Sequence, residues 1–200
     1  LGGEAVRLSA DFQVAITGED LATAPANVNN SLIGLAVKSS PLWWEGPYHM
    51  TTFCRRQNGV VGIRHHTSPW VSGWVLNPAI GLPTDGLSAA TSDWFSVQMD
   101  LTNDGYQWTL VGKLMNSNGT ALAATPVIPL DPGQFPPGQP LYGSVHTAHN
   151  ETGVTNFSKG AVSKVDMVSI DNFTFMNASV EMTDVSVQDA TGYSFTSVAG

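Results

Sequence analysis

Apolar residues recur at every second position along this chain, in short runs interrupted by clusters of Gly, Pro, Asn, Asp and Ser. Val6, Leu8, Ala10, Phe12, Val14 and Ile16 alternate with Arg7, Ser9, Asp11 and Gln13, and Phe95, Val97, Met99 and Leu101 alternate with Trp94, Ser96, Gln98 and Asp100. Successive side chains of a strand point to opposite faces, so this period predicts half-buried strands with one face on a core. Ser31 to Ser40 is a more continuous apolar run and predicts a central strand. Strands are also expected over Val71 to Leu76, Leu141 to His149, Val162 to Met176, Ser179 to Val187 and Tyr193 to Val198. Asn103-Asp104-Gly105 turns the chain into Tyr106, Trp108, Leu110 and Leu114, and Asn116 to Thr120 turns it again into Ala121 to Ile128. Asn77 to Ser92 and the proline-rich stretch Pro129 to Pro140 are expected to be loops, because proline cannot donate to a sheet ladder. No stretch has a helical period, so the expectation is an all-β fold, a sandwich or a barrel.

One segment, Trp43 to Trp74, concentrates chemistry: it holds three of the four arginines, three of the five histidines and four of the six tryptophans. Asn58-Gly59 within it is a hairpin signal, since both central residues of a type I′ turn need positive φ. A two-residue turn there sets Cys54 opposite Ile63, Phe53 opposite Arg64 and Thr52 opposite His65. Met50, Cys54, Val61 and Ile63 then form a core face, and His49, Phe53, Arg55, Arg64 and His66 form a ligand platform. A three-residue turn with a bulge shifts that register and swaps several assignments. A structural ion-pair network is the competing reading of the arginines.

The 200 residues suit one domain, residues 1–200, with a substantial core. A composition 42% hydrophobic and 12% charged excludes disorder, and no apolar run is long enough to insert in a membrane. The net charge of -8 argues against nucleic acid as a partner, which wants a basic footprint. A single cysteine, Cys54, allows no internal disulfide and is expected to be a buried, inert thiol. Sequons at Asn29, Asn118, Asn150, Asn156, Asn172 and Asn177 point toward a secreted or cell-surface protein. Oligomeric state is not legible.

Three stretches carry a family resemblance: Trp94 to Leu110 followed by Asn118-Gly119-Thr120, the run Val168-Ser169-Ile170-Asp171-Asn172-Phe173, and the opening strand with Phe12 followed by Leu32 to Val37. Together they resemble the concanavalin A-like lectin/glucanase jelly roll, including its laminin-G-like relatives. The resemblance implies a two-sheet antiparallel β-sandwich whose concave sheet holds carbohydrate, with the hairpin Tyr48 to His66 and the strand Tyr142 to His149 on that sheet. It also implies a structural calcium near Asp171, with no other cofactor. The closely spaced carboxylates of the glucanase members are missing: Glu4, Glu19, Glu45, Glu151 and Glu181 share no such spacing. The strand motifs of the alginate-lyase branch are not matched either.

Three functions remain open. The first is a module that binds a polysaccharide or other glycan, anionic ones included. Its expected ligand residues are His49, Phe53, Arg55, Arg64, His66, Trp70, Trp74, Tyr142 and His146, with Trp43 and Trp44 as further ring faces. Flat rings stack on sugars, and guanidinium and imidazole groups bond hydroxyls and carboxylates. The second is a polysaccharide lyase acting on a uronic-acid polymer by β-elimination. Arg55 or Arg64 would neutralise the carboxylate, His66 or His146 would be the base and Tyr142 the acid. The third is a non-enzymatic receptor-binding or adhesion head. His65-His66 and His146-x-x-His149 place their members on opposite strand faces, which disfavours metal chelation.

Overall fold

The computed structural model describes residues 4–16, 30–42, 46–55, 60–66, 71–76, 80–82, 90–150, 165–177, 184–188 and 194–198. No helix occurs among them. The strands are β1 (Glu4–Ile16), β2 (Asn30–Lys38), β3 (Tyr48–Arg55), β4 (Val60–His66), β5 (Val71–Leu76), β6 (Ala90–Thr91), β7 (Phe95–Asn103), β8 (Trp108–Asn116), β9 (Ala121–Ala124), β10 (Ile128–Pro129), β11 (Tyr142–Asn150), β12 (Val165–Asn177), β13 (Asp184–Gln188) and β14 (Ser194–Val198). One antiparallel sheet runs β10-β8-β7-β1-β12, with β6 paired to β1 and β9 to β8. The other runs β11-β2-β3-β4-β5, and β13 and β14 form a two-stranded ladder of their own. The two large sheets make the expected all-β sandwich.

The period of two is the reason these strands pack as they do. Leu8, Ala10, Phe12 and Val14 of β1, the odd residues Phe95 to Leu101 of β7, and Trp108, Leu110 and Leu114 of β8 are buried. They face Ile33, Leu35 and Val37 of β2, Phe53 of β3, and Val61 and Ile63 of β4 in one core. Phe95 joins the sheets, its ring 6.0 Å from Phe12 and 4.5 Å from Phe53. Gly112 lies where the sheets meet without room for a side chain, since a Cβ there would fall 2.5 Å from Thr51 Oγ1. The outward face of the first sheet is polar and internally paired. There Asp100 accepts from Arg7 Nε at 2.7 Å and from Lys113 Nζ at 2.6 Å, and Asp11 accepts from Ser96 and Asn172.

The hairpin register differs from the two-residue-turn expectation by one position. Arg55 pairs with Val61, Cys54 with Gly62, Phe53 with Ile63, Thr52 with Arg64 and Thr51 with His65. Since the side-chain period is two, that slip exchanges faces. Phe53 joins Val61 and Ile63 in the interior, fully buried, instead of lying beside Arg64. Burying a Phe side chain is worth about 1.5–3 kcal/mol, which favours the register that puts Phe53 in the core. Met50 and Cys54 are buried as expected, but in rows belonging to the opposite face. Residues 56–59, which include Asn58-Gly59, lie outside the described residues.

Smaller departures have local causes. Tyr106 is 84% exposed because it still belongs to the turn: Asp104 Oδ1 accepts both its N–H and that of Gln107, and Gly105 takes φ 97°. The strand expected over Ala121 to Ile128 is broken into β9 and β10 around Thr125, whose backbone and hydroxyl bond Gly112, and Pro126, which has no N–H. β6 falls within the expected loop from Asn77 to Ser92.

Candidate functional site

Alternation and register decide which expected site residues meet. The outward face of the second sheet is built from four cross-strand rows. Tyr142, Lys38 and Tyr48 form the first, and Ser144, Ala36, Met50 and His66 the second. His146, Gly34, Thr52, Arg64 and Ser72 form the third, and Cys54, Gly62 and Trp74 the fourth. Arg64, His66, Trp74, Tyr142 and His146 are thus brought to one face. Its middle is closed to solvent, with Ala36, Lys38, Met50, Thr52 and Cys54 buried. Its flanks are more open: Tyr142 and Ser144 on β11, Arg64 on β4 and Trp74 on β5 are half-buried, and Tyr48 is 44% exposed. Lys38 Nζ donates to the Leu42 carbonyl across one end of this face.

Three expected ligand residues do not join that face. Phe53 is core. Arg55 pairs with Val61 and takes the row of the interior residues. His49 pairs with Val37 on the inward face and is 4% exposed, its ring against Phe135. The same one-position slip accounts for all three. Trp43, Trp44 and Trp70 lie outside the described residues. Ser144 shares its strand face with Tyr142 and His146, as alternation along Leu141 to His149 predicts, while Lys38 and Tyr48 share a row with Tyr142 without having been named as ligands. The signal for those two is the pairing of β2 with β11 and β3, which no local pattern discloses.

His49 instead meets His65. His49 Nδ1 and His65 Nε2 share a hydrogen bond of 2.9 Å, and the rings stack with centroids 5.1 Å apart. Burial lowers the pKa of His49 to about 4. Burial, together with the adjacent His49, lowers that of His65 to about 3. Both rings are therefore neutral at physiological pH. Among the described residues, His65 Nδ1 and Thr51 Oγ1 are buried without a hydrogen-bond partner.

No group of three or more His, Cys, Asp or Glu that could hold a metal gathers among the described residues. Calcium takes six to eight oxygen ligands. Asp171 is exposed, and its Oδ1 accepts the Asn172 N–H at 2.7 Å. The cross-strand partner of Asp171, Asp11, is already engaged by Ser96 and Asn172. The described residues around Asp171 do not fit a calcium site. A separate cleft of about 240 Å³ opens at one end of the sandwich, between Glu4, Val6, Trp108, Gln139, Leu141, Phe175 and Met176. None of the expected site residues lines it.

Compared with protein-family profiles, curated proteins and solved structures, the chain matches none.

Proposed function

We propose that this chain is a carbohydrate-binding module that takes a polysaccharide, anionic ones included, along the outward face of the β11-β2-β3-β4-β5 sheet, in a secreted or cell-surface setting. The observation that carries this reading is the register that collects Arg64, His66, Trp74, Tyr142 and His146 on one face. Tyr142 stands on the β11 flank and Arg64 and Trp74 on the β4–β5 flank, on either side of a middle closed to solvent, so the contacts would be made at the flanks. Such spacing suits several residues of an extended chain.

The same geometry supports binding over β-elimination. β11 and β4 are separated by β2 and β3. Three strand spacings of about 4.8 Å put the backbones of Tyr142 and His146 on β11 at least about 14 Å from those of Arg64 and His66 on β4, so whichever histidine is the base, the acid Tyr142 is far from the neutraliser. Neutraliser, base and acid must all lie within hydrogen-bond reach of one reacting sugar.

Native electrophoresis through gels containing alginate, pectate, glucuronan or neutral glucans tests the reading. Retardation by at least one polysaccharide is expected, reduced by Arg64→Ala and Tyr142→Ala while the melting temperature changes little. No retardation by any glycan overturns it in favour of an adhesion role. A rise at 235 nm during incubation with a uronate polymer overturns it in favour of a lyase.

A further inference from the structure

The inward face of the same two strands holds a device that the binding reading does not use. His49 of β3 and His65 of β4 lie inside the sandwich, 4% and 0% exposed, joined by a 2.9 Å hydrogen bond. Whichever ring donates, His65 Nδ1 remains without a partner among the described residues. The ring of Phe135 stands edge-on to His49 at 5.1 Å. Phe135 is the buried residue of the segment 131–140, whose other members are exposed or half-exposed. The segment turns on Asp131, whose carbonyl accepts the N–H groups of Gln134 and Phe135 at 3.0 and 2.8 Å. One aromatic anchor therefore pins this segment to the end of the sandwich, and it rests on an imidazole.

Among the described residues, no counter-charge waits for a proton there. β8 approaches the pair through Gly112, against Thr51. The inward residues of β7 and β8, Phe95 to Leu101 and Trp108 to Leu114, carry no ionisable group. β9 offers Ala121 to Ala124, and β2 offers Leu35 and Val37. On β3 and β4 themselves, Arg55 takes an inward row two rows beyond Thr51 and, as a cation, offers no counter-charge, while Tyr48, Arg64 and His66 occupy rows of the opposite face, as do Lys38 on β2 and Tyr142 on β11. Asp131 is at an exposed corner of the segment. An imidazolium at this place would be a buried cation without a partner among the described residues, which is costly until water reaches it.

We propose that the His49–His65 pair is an acid-sensitive latch: proton uptake by the pair releases the Phe135-bearing segment, residues 131–140, from the end of the sandwich while both sheets stay folded. Release lets water reach the imidazoles. The ring of His49 then regains its ordinary affinity for protons, and that gain drives the opening. Above neutrality the pair is uncharged and the segment stays shut.

Hydrogen exchange on the full chain tests this, read as protection factors so that the pH dependence of the exchange chemistry cancels. Between pH 7.5 and pH 5, protection of the Gln134 and Phe135 amides is expected to fall about 30-fold, the factor for one imidazole moving from a pKa near 4 to 6.5. The amides of β7 and β8, which open only with the whole fold, stay far better protected than those of the segment at both pH values. His49→Gln, which cannot titrate, abolishes the fall in the segment. Unchanged protection in the segment, protection of the segment no weaker than that of β7–β8, or an undiminished fall in His49→Gln each overturns the latch. If His49→Gln does not fold, the imidazole C2–H resonances of the unsubstituted chain decide. Both rings are expected to remain neutral down to pH 5, and a ring titrating above pH 6 in the folded protein overturns it.

Discussion

Replacing Phe53 by alanine separates the observed hairpin register from the alternative one position away. Phe53 is fully buried, pairs with Ile63 and holds its ring 4.5 Å from Phe95. Truncating a buried phenylalanine costs about 3–5 kcal/mol, combining lost transfer energy with the cavity left behind. The aromatic contact with Phe95 places this site toward the upper end, since such pairs add about 0.5–1.5 kcal/mol beyond area burial. In urea, with m near 2 kcal/mol/M, that corresponds to a midpoint lower by about 1.5–2.5 M at unchanged m. In a thermal scan it amounts to about 6–20 °C for a domain of this size. The assay is equilibrium urea unfolding followed by tryptophan fluorescence and far-ultraviolet circular dichroism, with coincident transitions as the two-state check. A loss below about 1 kcal/mol, accompanied by weakened glycan retardation, would put Phe53 on the outward face and refute the register.

Three further outcomes follow from the packing and charge. Gly112→Ala introduces a Cβ 2.5 Å from Thr51 Oγ1 and should cost about 1–3 kcal/mol of overpacking in the same urea assay; a neutral effect would mean the sheets are not in contact there. Because the folded pKa values of His49 and His65 lie below the ordinary 6.5, their stabilising neutrality is fully present above that value and is lost as pH falls from 6.5 toward 4. The expected slope is up to about 1.4 kcal/mol per pH unit for each imidazole, and urea midpoints that stay flat between pH 7.5 and 5 would contradict it. Burial alone would raise the pKa of Asp100, but hydrogen bonds from Arg7, Lys113 and Gln98 outweigh it and hold the carboxyl below its usual range. The benefit is thus present above about pH 4 and lost below it. Because Arg7 is 45% exposed, Asp100→Asn should cost no more than about 1 kcal/mol, and the loss should shrink in 1 M salt.

The parts of the fold legible in the sequence were those set by local periodicity. Leu8, Ala10, Phe12 and Val14 of β1 and Phe95, Val97, Met99 and Leu101 of β7 are buried as their alternation named, because each strand has one face on the core, while Val6 near the strand's start is half-buried. β2 reads as a continuous apolar run because both of its faces are buried from Ile33 to Lys38. The hairpin between β3 and β4 was harder, since one residue more or less in the connection exchanges Phe53 with Cys54 and His65 with Arg64. Histidines and threonines inside the core, such as His49, His65 and Thr51, weaken the contrast between faces that would otherwise fix the register. The candidate site was legible in its residue types and only half so in its membership: Arg64, His66, Trp74, Tyr142 and His146 share a face, while His49 and Phe53 do not. Which strands lie side by side was hidden altogether, because β1 against β12 and β11 against β2 join segments that no short window spans.

The pairing of β1 with β12 also bears on the order in which the molecule can be assembled. β1 lies between β7 and β12, and β2 between β3 and β11. During synthesis, one side of β1 finds its neighbour once residue 103 has emerged, but the other waits for residue 177. Until then two long strand margins stand open, each a template for pairing with another nascent chain. Closure over such separations is entropically slow. Late-arriving β11 and β12 therefore act as seams that shut the two sheets, and substitutions that weaken them should show first as poor recovery of soluble protein rather than as a damaged site.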